Sequence, residues 1–459
     1  MIRSGYEWFR KTFGIVRLRQ LLDQIQHRLS FIPGLYVLGS LAVAQVTLLI
    51  DRELSGQQVP QLFATTVDSA RSVFTAIAGG LITSITLLLS MMLITVQLAS
   101  SQFSPRTLRD WLGDSYLKHT IGLALGTTVF SLLALRSTRS FGEDGGEIVP
   151  HTSVILAVVL GVVSLFGVVR SVDHVTQSLQ IGSVARRIAA DTIAVVMSGA
   201  EVEAGQRPTQ APSAGDPRAT GDGIGSSNDA EFPDDAVAIE APASGWIQQI
   251  RPASILERLP EGATGYVAVP LGAFVPNGTP LMWVSPPPPS EDPCRVELLD
   301  AFAIGDTRTL QQDIGFGLVQ LTDVAVRALS PGVNDPSSAN DLIVHLGDVM
   351  LAVWSQPMAD AETRHDGRTL VRRHPLHEEH LRRAFDPIRR YGSTDPTVMS
   401  TLVRTLRMVV AEVERRDLPG PVEPLNQMIA DTVDGAESAG WSSYELDQLK
   451  SIAGTTQQA

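Results

Sequence analysis

The sequence predicts an α-helical integral membrane protein with four transmembrane helices and a cytoplasmic α+β region, in which a small β barrel-sandwich-like domain precedes a helical domain. Three observations predict this architecture. Hydrophobic residues make up 44% of the 459 residues, which is high for a soluble chain. They are concentrated in long uncharged runs before residue 175, whereas residues 200–459 have an ordinary polar composition.

Four apolar runs account for the predicted spans. Residues 31–50 and 72–100 contain no charged residue and reach the roughly 20 residues that a helix needs to cross a bilayer. The runs 120–135 and 153–169 are shorter, and a helix of that length could also be buried in a soluble domain. Because they follow two stronger runs, membrane helices are the better interpretation, and we expect a transmembrane domain over 31–181.

Basic residues orient these spans. Six Lys and Arg residues precede the first run and three separate the second from the third, against two in each alternate loop. By the positive-inside rule, both termini are then cytoplasmic, as in a protein of the bacterial inner membrane. Within residues 1–30, apolar residues at helical spacing predict an amphipathic helix. This helix would lie among the lipid headgroups or pack on the cytoplasmic domain.

A stripe of polar residues runs along one face of the second span. Thr83, Thr86, Ser90, Gln97 and Ser101 are spaced by three, four, seven and four residues, which places them on one face of a helix. Such a face turns toward other helices or water, because hydrocarbon offers it no partners. It would line a pore made of several copies of this helix, or it would hold helices together. No ionisable residue interrupts the four apolar runs, which favours helix packing.

The remaining chain changes composition several times. Residues 182–200 predict a helical extension of the membrane domain, and the Gly-, Pro- and Ser-rich residues 201–235 predict a disordered linker. Short β-rich pieces over 237–284 resemble a barrel-sandwich carrier domain, but this segment has no lysine to which a prosthetic group could be attached. A Pro-rich spacer, 285–293, then leads to a helical domain over 294–459.

One connector in the helical domain is unusually polar. Residues 307–329 predict an amphipathic helix that Pro331 ends, and the sequence "ALSPGVNDPSSAND" follows from residue 328. Gly332 suits a positive φ, and Asp335 before Pro336 is typical of a helix N-cap and first turn. The polar residues beyond what a turn requires make this connector a candidate site for a cytoplasmic ligand or partner. Its residues are Asn334, Asp335, Asn340 and Asp341.

Other groupings of reactive side chains have simpler interpretations. Asp341, His345 and Asp348 share a helix face, but carboxylates and imidazoles at this spacing are common on solvated helices. The histidines of "HPLHEEH" do not have the spacing of a zinc-binding helix. No nucleophile elbow, Walker loop or dinucleotide fingerprint is present in a supporting context. We therefore expect no metal, no cofactor and no catalytic residue.

Two longer motifs identify a family. "QLASSQFSPRTLRDWL" at 97–112 and "RTLQQDIGFGLVQLTDVAVRALSPGVNDPSSA" at 308–339, with "AFDPIRRYGSTDPTVM" at 384–399, resemble a bacterial family of predicted membrane proteins, domain-of-unknown-function family 2254. The resemblance extends from the first span to about residue 416. It implies several N-terminal membrane helices and a cytoplasmic C-terminal region, and it implies no particular activity.

Two function classes agree with these observations. The first is a homo-oligomeric channel or transport protein, with the polar stripe in a shared pore and the cytoplasmic region as an assembly or gating domain. The second is a membrane-anchored scaffold or signalling protein, whose helical domain binds a partner or small ligand at the connector. The expected partners are the lipid bilayer and further copies of the chain. A net charge of −13 without a basic patch disfavours nucleic acid.

Overall fold

The structure is a computed structural model. It describes residues 30–54, 66–102, 115–138, 151–178, 181–204, 233, 235–288, 294–358 and 360–454. The amphipathic helix predicted within 1–30, most of the predicted linker and much of the Pro-rich spacer lie outside these residues. The chain divides into two compact units, residues 1–180 and 181–459, and each is described by itself.

The described residues of the first unit form four helices. Each contains or closely overlaps one of the apolar runs and extends beyond it: α1 (Phe31–Leu54), α2 (Val67–Gln102), α3 (Ser115–Ser137) and α4 (His151–Ser178). All four are long and apolar enough to cross a membrane, including the two with the shorter runs, whose candidate spans have 22 and 25 residues. The prediction of four membrane helices is therefore confirmed by length and composition.

Contacts at the helix ends fix their directions. The Tyr36 hydroxyl near the start of α1 lies 3.1 Å from Nδ1 of His119 near the start of α3. At the opposite end, Asp51 of α1 accepts a hydrogen bond from the backbone N–H of Thr152 in the first turn of α4. Arg71 in α2 donates two hydrogen bonds to the carbonyl of Thr138, just after α3. Helices α1 and α3 therefore run one way, and α2 and α4 run the other.

Two glycines let α1 and α3 approach closely. A Cβ added to Gly122 would lie 2.6 Å from Cδ2 of Tyr36, and one added to Gly126 would lie 3.0 Å from the Tyr36 carbonyl oxygen. The spacing is that of the GxxxG motif, which brings membrane helices into backbone contact. Small residues thus set this interface.

Charged groups enter the ends of the spans, which the uncharged runs did not indicate. Asp51 and Lys118 are 2% and 3% exposed. Asp51 Oδ2 also accepts from the Ser153 N–H at 3.2 Å and from the Ser153 hydroxyl at 2.6 Å. The carboxylate thus serves the N-terminus of a different helix, which explains its burial.

The second unit contains a β-domain with two sheets. The order is β1-β5-β3-β8-β7 in the first sheet and β4-β2-β6 in the second. All neighbours are antiparallel except β3 and β8. The strands are β1 (Val237–Glu240), β2 (Gly245–Ile250), β3 (Thr264–Val267), β4 (Phe274–Val275), β5 (Pro280–Ser285), β6 (Phe302–Gly305), β7 (Glu362–His365) and β8 (Arg368–Val371).

This β-domain extends beyond the predicted residues 237–284. Strand β6 pairs with β2, and the hairpin β7–β8, which comes from the middle of the predicted helical domain, pairs through β8 with β3. Leu370 of β8 is fully buried in the β-domain core. The pairing completes that core with an apolar side chain from a distant part of the chain.

Helices form the rest of the second unit. Two short helices belong to the β-domain, α6 (Pro252–Arg258) and α7 (Cys294–Leu299). The others are α5 (Ile181–Ala204), α8 (Ile314–Ala328), α9 (Pro336–Trp354), α10 (His377–Tyr391), α11 (Pro396–Arg416), α12 (Glu423–Ser438) and α13 (Ser443–Ala453). Helix α9 lies among α5, α8 and α11, and α12 and α13 pack on α11.

Helix α5 belongs to this helical core. A Cβ on Gly317 of α8 would lie 2.0 Å from the hydroxyl of Thr192, which is fully buried. The segment predicted as a helical extension is thus a packed element of the second unit. Its partner α8 lies more than 100 residues later in the chain, so the sequence pattern did not reveal the contact.

Candidate functional site

The predicted polar stripe lies on the outer face of α2. Thr83, Thr86, Ser90 and Gln97 are exposed, whereas the opposite face, with Phe74 and Leu81, is buried against the other helices. The three hydroxyls donate to carbonyls one turn earlier in α2, at 2.8–3.0 Å. The Ser101 side chain lies outside the described residues. These four side chains therefore face away from the other described helices of the first unit.

The predicted connector is a tight link between α8 and α9. Asp335 is the N-cap of α9, as predicted, and Oδ1 accepts from the Ser338 N–H at 3.1 Å. The hydrogen bonds from Ser338 lower the pKa of the Asp335 carboxyl. The prediction of a positive φ at Gly332 was wrong, because Gly332 does not have a positive φ. The residue with a positive φ in the connector is Asn334, at 49°. Asparagine tolerates this conformation, which gives Asn334 a structural role.

The other polar residues of the connector do not gather into one site. Asp341 is exposed. The Asn340 side chain is partly buried, and no described residue donates a hydrogen bond to its Oδ1. His345 Nδ1 lies 4.0 Å from Asp348. Among the described residues, no group of three or more His, Cys, Asp or Glu is arranged to hold a metal ion.

A charged cluster at the start of α8 brings three parts of the second unit together. Asp313 is the N-cap of α8 and accepts from the Phe316 N–H at 3.0 Å. Its carboxylate, 5% exposed, receives two hydrogen bonds from Arg308, at 2.5 and 3.0 Å. Gly272 of the β-domain, with φ 72°, packs on the pair so closely that a Cβ would lie 2.0 Å from Asp313 Oδ2. Only glycine fits there.

Helix α10 contributes two more polar side chains to this cluster. A Cβ on Gly315 of α8 would lie 2.1 Å from Nη1 of Arg383, so the guanidinium covers the first turn of α8. His380 is 7% exposed, and its Nδ1 has no hydrogen-bond partner in the part of the chain that the structure describes. Burial first, and then the nearby Arg383, lower the pKa of His380 to about 4. The ring is therefore neutral at pH 7.

The sequence interpretation missed this cluster because it placed residues 307–329 in one helix. The helix begins at Ile314, and Arg308 and Asp313 precede it. An aspartate directly before an apolar periodic segment is an N-cap signal, and it could have located this start. His377, the middle histidine of "HPLHEEH", has a different position: its Nε2 lies 3.2 Å from the Val353 carbonyl and 3.1 Å from that of Gln356, at the end of α9.

The buried His380 predicts a pH dependence of stability. The unfolded chain takes up a proton near pH 6.5 that the folded state excludes down to about pH 4, so the free energy of unfolding falls as the pH drops through this window. Between pH 7 and pH 5, His380 should contribute a loss of about 2 kcal/mol.

Chemical unfolding of wild type and His380→Gln at both pH values measures this contribution, and the variant should lose less stability. His374 and His377 act in the same direction in both proteins, since burial lowers their pKa values as well. His365→Gln, at an exposed position of the β7–β8 hairpin, is the control. Equal losses in wild type and His380→Gln would contradict the prediction.

Comparison with known proteins gives the family of the chain. A family model with the description Predicted membrane protein (DUF2254) matches residues 26–408. The chain belongs to this family. Two uncharacterized proteins, Rv1290c of Mycobacterium tuberculosis (strain H37Rv) and Mb1321c of Mycobacterium bovis, are each 30% identical to it over 406 residues, or 86% of this chain and 74% of the relative. No solved structure matches the chain.

The DUF2254 match covers both units. It includes the four candidate spans, the β-domain and the charged cluster around Asp313, and it ends within α11. The resemblance inferred from the motifs is thus confirmed, and the protein is a membrane protein of the DUF2254 family. The relatives are described as uncharacterized and suggest no activity.

Proposed function

We propose that this DUF2254 protein is a homo-oligomeric channel or transport protein of the bacterial inner membrane. Copies of the chain associate through the outer face of α2, which lines their shared axis. The basic residues before the first span favour a cytoplasmic N-terminus. In this proposal the second unit is also cytoplasmic and serves assembly or gating.

The observation that carries this proposal is a stripe of small and polar residues on the outer face of α2, which also exposes large apolar side chains. Gly79, Thr83, Thr86, Ser90 and Gln97 follow one another at spacings of four, three, four and seven, the repeat of helices that pack at a shallow angle. A Cβ added to Gly79 would meet no atom of a described residue within 4 Å, so the stripe has no side-chain bulk at this position. Flat faces of small residues favour close contact between membrane helices.

The chemistry of this face also suits a polar lining along the shared axis of the oligomer. The hydroxyl hydrogens of Thr83, Thr86 and Ser90 are used within α2, but their oxygens keep free lone pairs. Gln97 has no hydrogen bond to another described residue, and its exposed amide lies at the end of the candidate span. A ring of such groups offers ions or small polar solutes partners that hydrocarbon lacks.

Cysteine crosslinking tests the association. The only cysteine, Cys294, is buried and donates to the Arg258 carbonyl, so Cys294→Ser keeps the hydrogen bond and provides a background without reactive thiols. In this background, Thr83→Cys and Ser90→Cys are expected to form disulfide-linked dimers when the protein is oxidised in membranes. Val163→Cys, on the outer face of α4 and half exposed, is the matched control. Equal crosslinking at Thr83 and Val163 would contradict the proposed interface.

Flux through reconstituted liposomes tests transport. Thr86→Leu combined with Gln97→Leu should reduce solute flux at least tenfold, because both side chains then present only hydrocarbon to the axis. Val162→Leu, which adds bulk to the outer face of α4, should leave flux unchanged. Crosslinked oligomers that pass no ion or osmolyte under voltage or a pH gradient would leave the interface standing and refute the channel.

A further inference from the structure

The start of α8 carries more positive charge than its neighbours balance. Asp313 is paired by Arg308, and the Arg383 guanidinium lies over the first turn, at the position that a Gly315 side chain would fill. Arg383 forms no ion pair or hydrogen bond with any other described residue. Because a helix N-terminus is itself positive, the exposed Arg383 guanidinium beside it favours the approach of an anion.

A second observation concerns the buried imidazole of His380. His380 and Arg383 are three residues apart on α10 and therefore share a face, and α10 packs on α8, where the Thr322 hydroxyl donates to the Ala384 carbonyl. Long helical side chains lean toward the N-terminus of their helix, so Arg383 reaches over the turn that holds His380. The ring is more than nine-tenths buried, and its Nδ1 has no hydrogen-bond partner among the described residues.

We propose that the first turn of α8, together with Arg383 and His380, binds a phosphate group. The guanidinium offers a fork of N–H donors. In the first turn of α8 the Phe316 N–H is bonded to Asp313, whereas the N–H groups of Ile314 and Gly315 precede the first bond within the helix. Oxygen atoms of a phosphate match both sets of donors. The Asp313 carboxylate would repel an anion, but its two hydrogen bonds from Arg308 neutralise it.

The neutral His380 suits this role. An uncharged imidazole has one donor and one acceptor nitrogen, so it can accept a hydrogen bond from a protonated phosphate oxygen or donate one to a bare oxygen. Gly315 and Gly272 allow the approach, since a side chain at either position would displace the charged groups. The site lies wholly within the second unit and does not depend on the proposed pore.

Calorimetric titration of the full chain in detergent micelles tests the proposal. The probe is sodium orthophosphate, with ionic strength held constant by chloride. Saturable binding is expected, and Arg383→Gln should weaken it at least tenfold, His380→Gln several-fold. Arg390→Gln, an exposed arginine two turns further along α10, is the matched control and should bind like wild type. Arg383 is exposed as well, so its replacement should leave the melting temperature near that of wild type.

Two further probes identify the source of the phosphate group. A nucleoside monophosphate is titrated in the same way, and nanodiscs with or without phosphatidic acid present a lipid phosphate. Binding to any probe that Arg383→Gln weakens and Arg390→Gln does not supports the site, and the tightest probe names the ligand class. The proposal is overturned if none of the three binds saturably, or if both arginine variants weaken binding equally, as general surface charge would.

Discussion

Replacing Asp51 with alanine is expected to lower the free energy of unfolding of the first unit by about 3 kcal/mol. The carboxylate, 2% exposed, accepts from the N–H groups of Thr152 and Ser153 and from the Ser153 hydroxyl. Alanine leaves these buried donors without their acceptor, and an unpaired buried N–H or O–H group is costly. The junction of α1 and α4 should therefore open first.

A buried cysteine reports this opening without interference from the second unit. In the Cys294→Ser background, Ala134→Cys in α3 replaces a side chain that is 1% exposed, and its labelling during titration with a denaturing detergent gives the unfolding midpoint. Asp68→Ala is the control, because that carboxylate is 94% exposed and lies 3.7 Å from Arg71, a contact worth little. Equal midpoints for Asp51→Ala and Asp68→Ala would show that the cap contributes nothing.

The same contacts explain how far the sequence could predict the membrane helices. Uncharged runs located all four spans, because hydropathy alone decides which segments can enter a bilayer. Most helix ends lie beyond the uncharged runs. Asp51 and Arg71 lie in these extensions and bond to backbone groups at the ends of other helices. These hydrogen bonds join residues about 70 to 100 positions apart in the chain, so no local sequence pattern predicts them.

The β-domain shows a signal that was present but not used. Asp366 and Gly367 have φ 47° and 72°, and an Asp-Gly pair between short strands is typical of a type I′ hairpin. The β7–β8 hairpin could thus have been predicted. Its parallel pairing with β3 could not be predicted, because the two strands are about 100 residues apart in the chain. The only core residue that the hairpin adds to the buried β-domain cluster is Leu370.

The candidate sites differ in the same way. The cap at Asp335 and the stop at Pro331 follow from local rules and were predicted. The cluster at α8 depends on Gly272, Asp313 and Arg383, which come from three separate segments. Each looks ordinary in its own sequence context, so only the fold shows that they meet.

Within this cluster, Arg308→Ala is expected to lower the free energy of unfolding of the second unit by about 3 to 5 kcal/mol, because it leaves the buried Asp313 carboxylate without its partner. The matched control is Arg364→Ala, since the 2.8 Å ion pair of Arg364 with Glu362 is exposed and should contribute about 1 kcal/mol or less. Chemical unfolding followed by tryptophan fluorescence measures both, because Trp246, Trp283, Trp354 and Trp441 all lie in the second unit.

A double-mutant cycle separates the ion pair from the packing of the arginine stem. If the cost of Arg308→Ala arises from an unpaired buried charge, Arg308→Ala with Asp313→Ala should cost clearly less than the two single substitutions added together. Asp313→Ala also removes the N-cap of α8, worth about 0.5 to 2 kcal/mol, and this loss is common to the single and double variants. Strict additivity would mean that Arg308 stabilises the cluster by packing alone, for example on Phe316, whose ring centroid is 5.4 Å from the guanidinium carbon.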